Sequence, residues 1–303
     1  MDFSGVIPIL ATPFHDDETF DAESMAGLVG LMKRIGVNGI TVLGVLGEAN
    51  RLNDAEREAV VHTAVAAADG LPVIAGASAS GTRSACDLAC MAESLGASAV
   101  MITPHAEATP SDERVFRHFS AITAATRLPV VLQDHPASSG VHMPAELMLR
   151  MIRELPSISC VKEEAVPTAP KIRALKAGMR ERSIPILTGL GALYGLFDLE
   201  AGSDGFNTGF AFPEVLTAMV AAAREGNWER VRAIYTQFLP LIVFEQQPGV
   251  AVRKEILRRR GAIATNRVRQ PGAPLDQETG KQLTALIEAL LPAIDIRMPL
   301  AIS

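Results

Sequence analysis

The sequence predicts an α/β fold, a (β/α)8 TIM barrel followed by a C-terminal helical extension. Eight short apolar runs recur along the chain, each about as long as a parallel strand that is buried on both faces. A longer segment with helical spacing of its apolar residues follows each run. The runs stop after Phe212, and the rest of the chain shows helical patterns alone. We therefore expect a barrel over residues 1–225 and the extension over residues 226–303.

The predicted strands and helices follow one another in order. The strands are Val6–Ala11, Gly39–Leu43, Pro72–Ala75, Ala99–Ile102, Pro129–Leu132, Ile158–Val161, Pro185–Leu187 and Asp204–Asn207. In the first connecting segment, Met25, Leu28 and Met32 recur at helical spacing. Asn53 and Glu56 form a capping-box pattern before the second helix. A doubly wound open sheet is the alternative, but no predicted strand leads into a G-x-G-x-x-G turn.

Composition excludes several classes of partner. The formal net charge of −6 argues against a nucleic-acid surface, and we expect the basic run Arg258–Arg260 to be a solvated helix end. The sequence has no stretch of 18 apolar residues and no basic leader, so we expect neither a membrane span nor a signal peptide. The three cysteines form no disulfide framework or metal-ligand spacing. We expect a reduced, cytoplasmic protein without a metal.

Polar residues follow the predicted strands at the end where barrels hold their active sites. These residues include Glu48, Gln133, Asp134, His135, Lys162, Glu163, Glu164, Gly189, Asn207 and Thr208. The chain has six lysines, and only Lys162 ends a strand; we expect the other five to be solvated. An amine in a dry barrel mouth is disfavoured as a cation, so it can attack a ketone and form an imine. A structural ion pair of Lys162 with Glu163 or Glu164 is the alternative.

The loop Gly44–Glu48 has two glycines around two apolar residues. Glycines let the backbone approach a ligand closely, and exposed N–H groups there can hold a carboxylate. The alternative is a tight turn without a ligand.

These residues belong to stretches that resemble the dihydrodipicolinate synthase / N-acetylneuraminate lyase family of class I Schiff-base lyases. The stretches are Ala11–Phe14, Gly44–Glu48, Leu52 with Glu56-Arg57, Pro72–Gly76, Pro136 with Gly140, and Val161–Glu163. The resemblance covers the predicted barrel in the family's order. It implies a (β/α)8 barrel with a C-terminal helical bundle and a homotetramer built as a dimer of dimers. It also implies an imine between Lys162 and a 2-oxo acid, with no other cofactor.

Three motifs depart from those of the family's synthases. The G-T-T-G-E motif has Val45 and Leu46 in place of its threonines. The Y-N-x-P-x-R-T-G motif has Gln133 in place of the acid/base tyrosine and Ser138 in place of the carboxylate-binding arginine. The P-Y-Y motif has Ala106 in place of the tyrosine that reaches across the dimer. Valine, alanine and an amide do not relay protons as hydroxyls do, so synthase activity is disfavoured.

Other stretches are similar to the 2-keto-3-deoxyarabonate dehydratase branch of the family. They are Gln133–Ser138, Lys162 with Glu164, Thr208-Gly209, Phe212-Pro213 and Glu245–Gln247. That branch eliminates water from a 3-deoxy-2-oxo sugar acid. Its phenylalanine-serine pair before the glutamate is Leu46-Gly47 here, so the resemblance does not name the substrate.

The resemblance and the strand ends together predict a role for each site residue. Lys162 attacks the 2-oxo group, and either Glu48 or Glu164 removes a proton from C3. Gln133 completes the catalytic set, and Gln133 and Asn207 are expected to bind substrate hydroxyls. The predicted substrate-binding residues are Val45, Leu46, Ser138, Ser139, Gly189, Asn207 and Thr208, the first four for the carboxylate. A pyruvate-releasing aldolase, the synthase itself and a non-catalytic barrel that binds a 2-oxo acid are the alternatives.

Overall fold

The computed structural model describes residues 2–109, 111–247 and 249–302 and contains one sheet of eight parallel strands. The strands are β1 Gly5–Val6, β2 Ile40–Val42, β3 Val73–Gly76, β4 Ala99–Ile102, β5 Val130–Asp134, β6 Ile158–Glu163, β7 Ile186–Thr188 and β8 Gly205–Phe206. Their order in the sheet is β1-β8-β7-β6-β5-β4-β3-β2. Each of the eight predicted apolar runs contains or overlaps an observed strand. This sequential order is consistent with a barrel, and it differs from that of a doubly wound sheet.

Helices alternate with the strands and then continue beyond them. They are α1 Ala22–Ile35, α2 Asp54–Ala68, α3 Thr82–Ser94, α4 Asp112–Ala125, α5 Pro136–Ser139, α6 Ala145–Glu154, α7 Thr168–Gly178, α8 Gly195–Glu200, α9 Pro213–Arg224, α10 Trp228–Gln246, α11 Val250–Arg259 and α12 Gln277–Leu290. The predicted capping box is present at α2: Asn53 accepts from the Glu56 N–H, and the Glu56 side chain accepts from the Asn53 N–H. None of the described helices is long and apolar enough to cross a membrane.

Backbone hydrogen bonds also join the two edges of the sheet. An isolated parallel bridge pairs Ile9, downstream of β1, with Thr41 of β2. The Thr41 N–H donates to the Pro8 carbonyl at 2.8 Å, and the Leu10 N–H donates to the Thr41 carbonyl at 2.8 Å. The segment after β1 therefore connects β8 on one side to β2 on the other.

Alternate strand residues face opposite sides of the sheet, and this alternation positions the site. Val131, Cys160 and Leu187 belong to an apolar cluster inside the sheet. Leu132 and Val161, the next residues of β5 and β6, belong to a larger cluster that includes residues of helices α1–α4, α6 and α7. Gln133 and Lys162 lie two positions after Val131 and Cys160, so the alternation places them on the inner side as well.

Two expectations about basic residues are wrong. Lys254, expected to be solvated, is fully buried, and Lys171 is mostly buried against Asp134. Arg260, expected on a solvated helix end, is buried and forms an ion pair with Glu214. In each case a carboxylate on a distant segment compensates the buried charge, and short-range sequence patterns do not show such a partner.

Candidate active site

The pairing of β5 with β6 places Gln133 directly beside Lys162. Both residues lie two positions after an inward-facing residue, so both side chains point to the inner side of the sheet. The Lys162 side chain is 5% exposed, and Gln133 is also buried. The predicted amine and amide are therefore neighbours at the C-terminal end of the strands.

Glu164 joins these two side chains. Its Oε2 lies 3.1 Å from Lys162 Nζ and accepts a hydrogen bond from Gln133 Nε2 at 2.7 Å. Its Oε1 accepts from the Leu190 N–H at 3.2 Å. Burial favours the neutral acid, but the Lys162 ammonium, with smaller contributions from His135 and these donors, lowers the pKa of Glu164 overall. Glu164 is thus a buried carboxylate in direct contact with the candidate nucleophile.

Gly189 makes room for the Glu164 carboxylate. A Cβ at this position would lie 1.9 Å from Glu164 Oε1 and 2.4 Å from its Cδ. The backbone that follows turns sharply, with positive φ at Leu190, Gly191 and Ala192. Thr208 accepts the Gly191 N–H on its Oγ1 at 2.7 Å. Gly189 and Thr208, both predicted to bind substrate, therefore shape the wall beside Glu164.

Asp134 and Glu163 pair on the outer side of the same two strands, behind the site. Lys171 of α7 forms an ion pair with Asp134 and donates to the Met143 carbonyl at 2.6 Å. Burial and the neighbouring Asp134 carboxylate raise the pKa of Glu163 to about 9, against a smaller opposing effect of Lys171. One cation thus faces two buried carboxyl groups, an environment that favours the protonated form of Glu163.

The loop after β2 presents Val45 and Leu46 in a short 3-10 turn, Val45–Gly47. The N–H groups at the start of such a turn have no partner within it, so they are available to a ligand. Val45 is 56% exposed. A Cβ on Gly44 would lie 2.8 Å from Ile9 Cγ2, so glycine allows this loop to pack against the segment after β1.

Glu48, one of the two predicted bases, has different partners from Glu164. Its carboxylate forms ion pairs with Arg51 at 2.6 Å and with Lys254 of α11 at 2.5 Å. It also accepts the Arg269 N–H at 3.0 Å. The structure therefore ties Glu48 to the C-terminal extension, whereas Glu164 lies against Lys162.

The remaining predicted residues are spread around the strand ends. Ser138 is exposed, with Oγ 2.6 Å from His135 Nδ1, and Ser139 is buried and accepts the Val141 N–H at 3.1 Å. Asn207 is fully buried and donates from Nδ2 to the Ile7 carbonyl at 2.8 Å and to Thr41 Oγ1 at 2.9 Å. Its amide nitrogen thus links β8 to the segments around β1 and β2.

Sequence reasoning missed the residues that the extension brings to this end of the sheet. Arg253 is buried, and its Nε donates to Glu245 Oε2 at 2.9 Å. Burial raises the pKa of Glu245 to about 7, and Arg253 partly opposes this rise. Gln246 lies over Gly191, where a Cβ would meet its Nε2 at 1.8 Å. The Glu245–Gln247 stretch of the dehydratase resemblance indicated Glu245 and Gln246, and no sequence signal indicated Arg253.

Comparison with known proteins assigns the family. The family model described as the Dihydrodipicolinate synthetase family matches residues 2–290. The chain belongs to this family. L-2-keto-3-deoxyarabonate dehydratase of Azospirillum brasilense is 31% identical over 295 residues, covering 96% of this chain and 95% of that protein. The 4-hydroxy-tetrahydrodipicolinate synthase 1 of Halalkalibacterium halodurans is 30% identical, covering 95% and 97% of the two chains.

The solved structures agree with this assignment. The structure of dihydrodipicolinate synthase from Rhodopseudomonas palustris superposes with a TM-score of 0.91 at 34% identity, covering 95% of this chain and 97% of that one. The named relatives include both a dehydratase and synthases, so family membership supports a lyase without selecting its reaction.

Proposed function

We propose that the protein is a Schiff-base lyase that removes water from a 2-keto-3-deoxy sugar acid. The observation that carries this proposal is the buried contact among Lys162, Glu164 and Gln133. An amine that forms an imine needs a neighbouring group to accept and return protons. Glu164 is placed for this role, and we propose it, rather than Glu48, as the general base.

Formation of the imine begins with a proton transfer from the Lys162 ammonium to Glu164 over 3.1 Å. The neutral amine attacks C2, and one proton of its nitrogen passes to the former carbonyl oxygen. That oxygen takes a second proton from Glu164 and leaves as water. The resulting iminium withdraws electrons from C3. The N–H groups of Val45 and Leu46 would hold the substrate carboxylate.

Elimination then uses the same carboxylate. Glu164 takes a proton from C3, and the enamine expels the C4 hydroxyl, which leaves as water with that proton. A double bond forms between C3 and C4, and hydrolysis of the iminium releases the 2-oxo product and restores Lys162. Gln133 fixes Glu164 through its 2.7 Å hydrogen bond. Since the imine itself is the electron sink, this sequence needs no further cofactor.

The pyruvate-releasing aldolase and the synthase are the competing reactions. Both need a proton relay to a substrate hydroxyl or aldehyde, and the family's relay positions carry Val45, Gln133 and Ala106 in this chain. None of these three side chains carries a hydroxyl group, and this supports elimination over either alternative.

A panel of 3-deoxy-2-oxo sugar acids tests the reaction. Products are assayed in parallel for pyruvate and for a dehydrated 2-oxo acid. We expect the dehydrated acid with at least one substrate, and a Glu164→Gln variant should lower its rate by about 10²- to 10⁴-fold. Pyruvate as the product would replace this proposal with the aldolase. Binding without any turnover would replace it with the non-catalytic barrel.

We also propose that the chain closes as a complete (β/α)8 barrel and acts in the cytoplasm as a homotetramer, as its family resemblance implies. Light scattering of the purified protein should give four times the mass of the chain. A mass of one or two chains would contradict the tetramer.

A further inference from the structure

The Glu48 carboxylate is the link between the loop after β2 and the C-terminal extension. Glu48 follows the Val45–Gly47 turn directly and is only 2% exposed. Its backbone is in the left-handed region, with φ of 55°. A side chain held at this point controls where the preceding turn lies.

The partner of Glu48 in the extension is Lys254. Its Nζ lies 2.5 Å from Glu48 Oε1 and donates to the Arg267 carbonyl at 2.6 Å. The ammonium also lies 4.3 Å from the centre of the Phe14 ring. Lys254 is fully buried, so removal of Glu48 would leave its ammonium without a carboxylate partner among the described residues.

Charges around the pair complete a small network. Arg51 contacts the second Glu48 oxygen at 2.6 Å, and the Arg269 guanidinium stacks on Phe14 at 4.3 Å from the ring centre. Burial lowers the pKa of Lys254 to about 8, while the Glu48 carboxylate opposes this change. The protein thus keeps a lysine in an environment that disfavours its charge, at the base of the loop that presents Val45 and Leu46.

We propose that Lys254 is a positioning residue: through its ion pair with Glu48, the C-terminal extension sets the geometry of the carboxylate-binding turn and hence the affinity for the 2-oxo acid. This inference rests on the proposed function, because the turn is assigned to the carboxylate there. Lys254 acts through Glu48 and does not touch the reacting atoms.

The test compares binding with reactivity, using pyruvate as the probe and borohydride reduction to trap the imine. A Lys254→Met variant should raise the half-saturating pyruvate concentration about tenfold or more, since a displacement of about 1 Å in a positioning contact can cost as much as 10²-fold. The extent of Lys162 labelling at saturation should stay near that of the wild type. Should the methionine variant fail to fold, Glu48→Gln tests the same pair and should shift the half-saturating concentration in the same direction.

Lys176→Met is the matched control. Lys176 pairs with Asp204 at 2.6 Å, and Asp204 directly precedes β8, at the opposite end of the strands from the site. This variant should leave half-saturation within twofold of the wild type. Equal effects of both lysine variants, or an unchanged half-saturation in folded Lys254→Met, would overturn the proposal.

Hydrogen exchange separates this proposal from the proposed function, because it needs no substrate. The amides of Gly47 and Glu48 donate within the turn to the Gly44 and Val45 carbonyls at 2.9 and 3.1 Å, and they should exchange faster in Lys254→Met than in Lys176→Met or the wild type. Absence of any adduct in the wild type would refute imine chemistry, and with it the role in substrate affinity. Unchanged exchange in Lys254→Met would refute the positioning of the turn, whether or not the adduct forms.

Discussion

Replacing Gly189 with alanine should displace the Glu164 carboxylate from Lys162. The new Cβ would lie 1.9 Å from Glu164 Oε1, and real Cβ atoms essentially never come within 3.0 Å of a neighbour. If the backbone stays in place, Oε1 must therefore move by more than about 1 Å. Such a movement takes Oε2 away from its 3.1 Å contact with Lys162 Nζ. We expect kcat to fall by about 10²- to 10⁴-fold, the range for loss of a general base.

A double-mutant cycle shows whether this clash is the cause. Glu164→Ala removes the atoms that the new methyl group meets, so Gly189→Ala should destabilise the Glu164→Ala protein less than it destabilises the wild type. We expect a coupling of about 0.5–3 kcal/mol in urea unfolding. Gly30→Ala on α1 is the control, since its Cβ would lie 3.6 Å from the nearest atom outside the helix backbone, an ordinary contact. Additive stabilities together with a wild-type kcat would refute this reasoning.

Three further substitutions test other parts of the account. Gln133→Glu places a second carboxylate beside Glu164, so the pKa of Glu164 should rise and the acid limb of the kcat/KM profile should move to higher pH; an unchanged limb would contradict this. Glu163 has a folded-state pKa of about 9 against 4.5 in the unfolded chain, so its stabilisation is complete below pH 4.5 and is lost as the pH rises to about 9. The difference in unfolding free energy between the wild type and Glu163→Gln should therefore change by up to about 1.4 kcal/mol per pH unit within that window, to the disadvantage of the wild type as the pH rises. The same difference in urea unfolding at pH 6 and at pH 8 would contradict this expectation. Asn207→Ala should cost about 1–3 kcal/mol in urea unfolding because two buried hydrogen bonds are lost; an unchanged stability with a raised KM would instead favour its predicted contact with substrate hydroxyls.

The sequence predicted the inner part of the site because that part depends on strand periodicity. Lys162 closes an apolar run, and Glu164 follows two residues later, so the two fall at one end of a strand. The register that sets Gln133 beside Lys162 follows from the pairing of consecutive strands. Each of these placements needs only short-range patterns and the topology of a barrel.

The contribution of the extension could not be predicted in the same way. Lys254 lies on a helix between charged and apolar residues, a pattern typical of a solvated lysine. It is buried only because α11 packs against the loop that carries Glu48, far away in the sequence. The choice between Glu48 and Glu164 as the base remained open for the same reason, since it depends on which cation each carboxylate meets.

The outer carboxyl pair shows a third limit. Asp134 and Glu163 were recognised as strand-end residues, and the register that sets Gln133 beside Lys162 also pairs them across β5 and β6. The charge of this pair, however, depends on Lys171, which α7 brings to the outside of the sheet. A single strand's alternation indicates the outer face but not these neighbours.

Borohydride trapping with pyruvate tests the central claim most directly. After reduction and proteolysis, mass spectrometry should locate one adduct, on the peptide that contains Lys162, and a Lys162→Ala variant should show none. In a control with excess pyruvate but no borohydride, the mass of this peptide should stay unchanged, because an unreduced imine hydrolyses. No adduct on Lys162, or an adduct on Lys171 or Lys254 in its place, would contradict the assignment of Lys162 as the nucleophile.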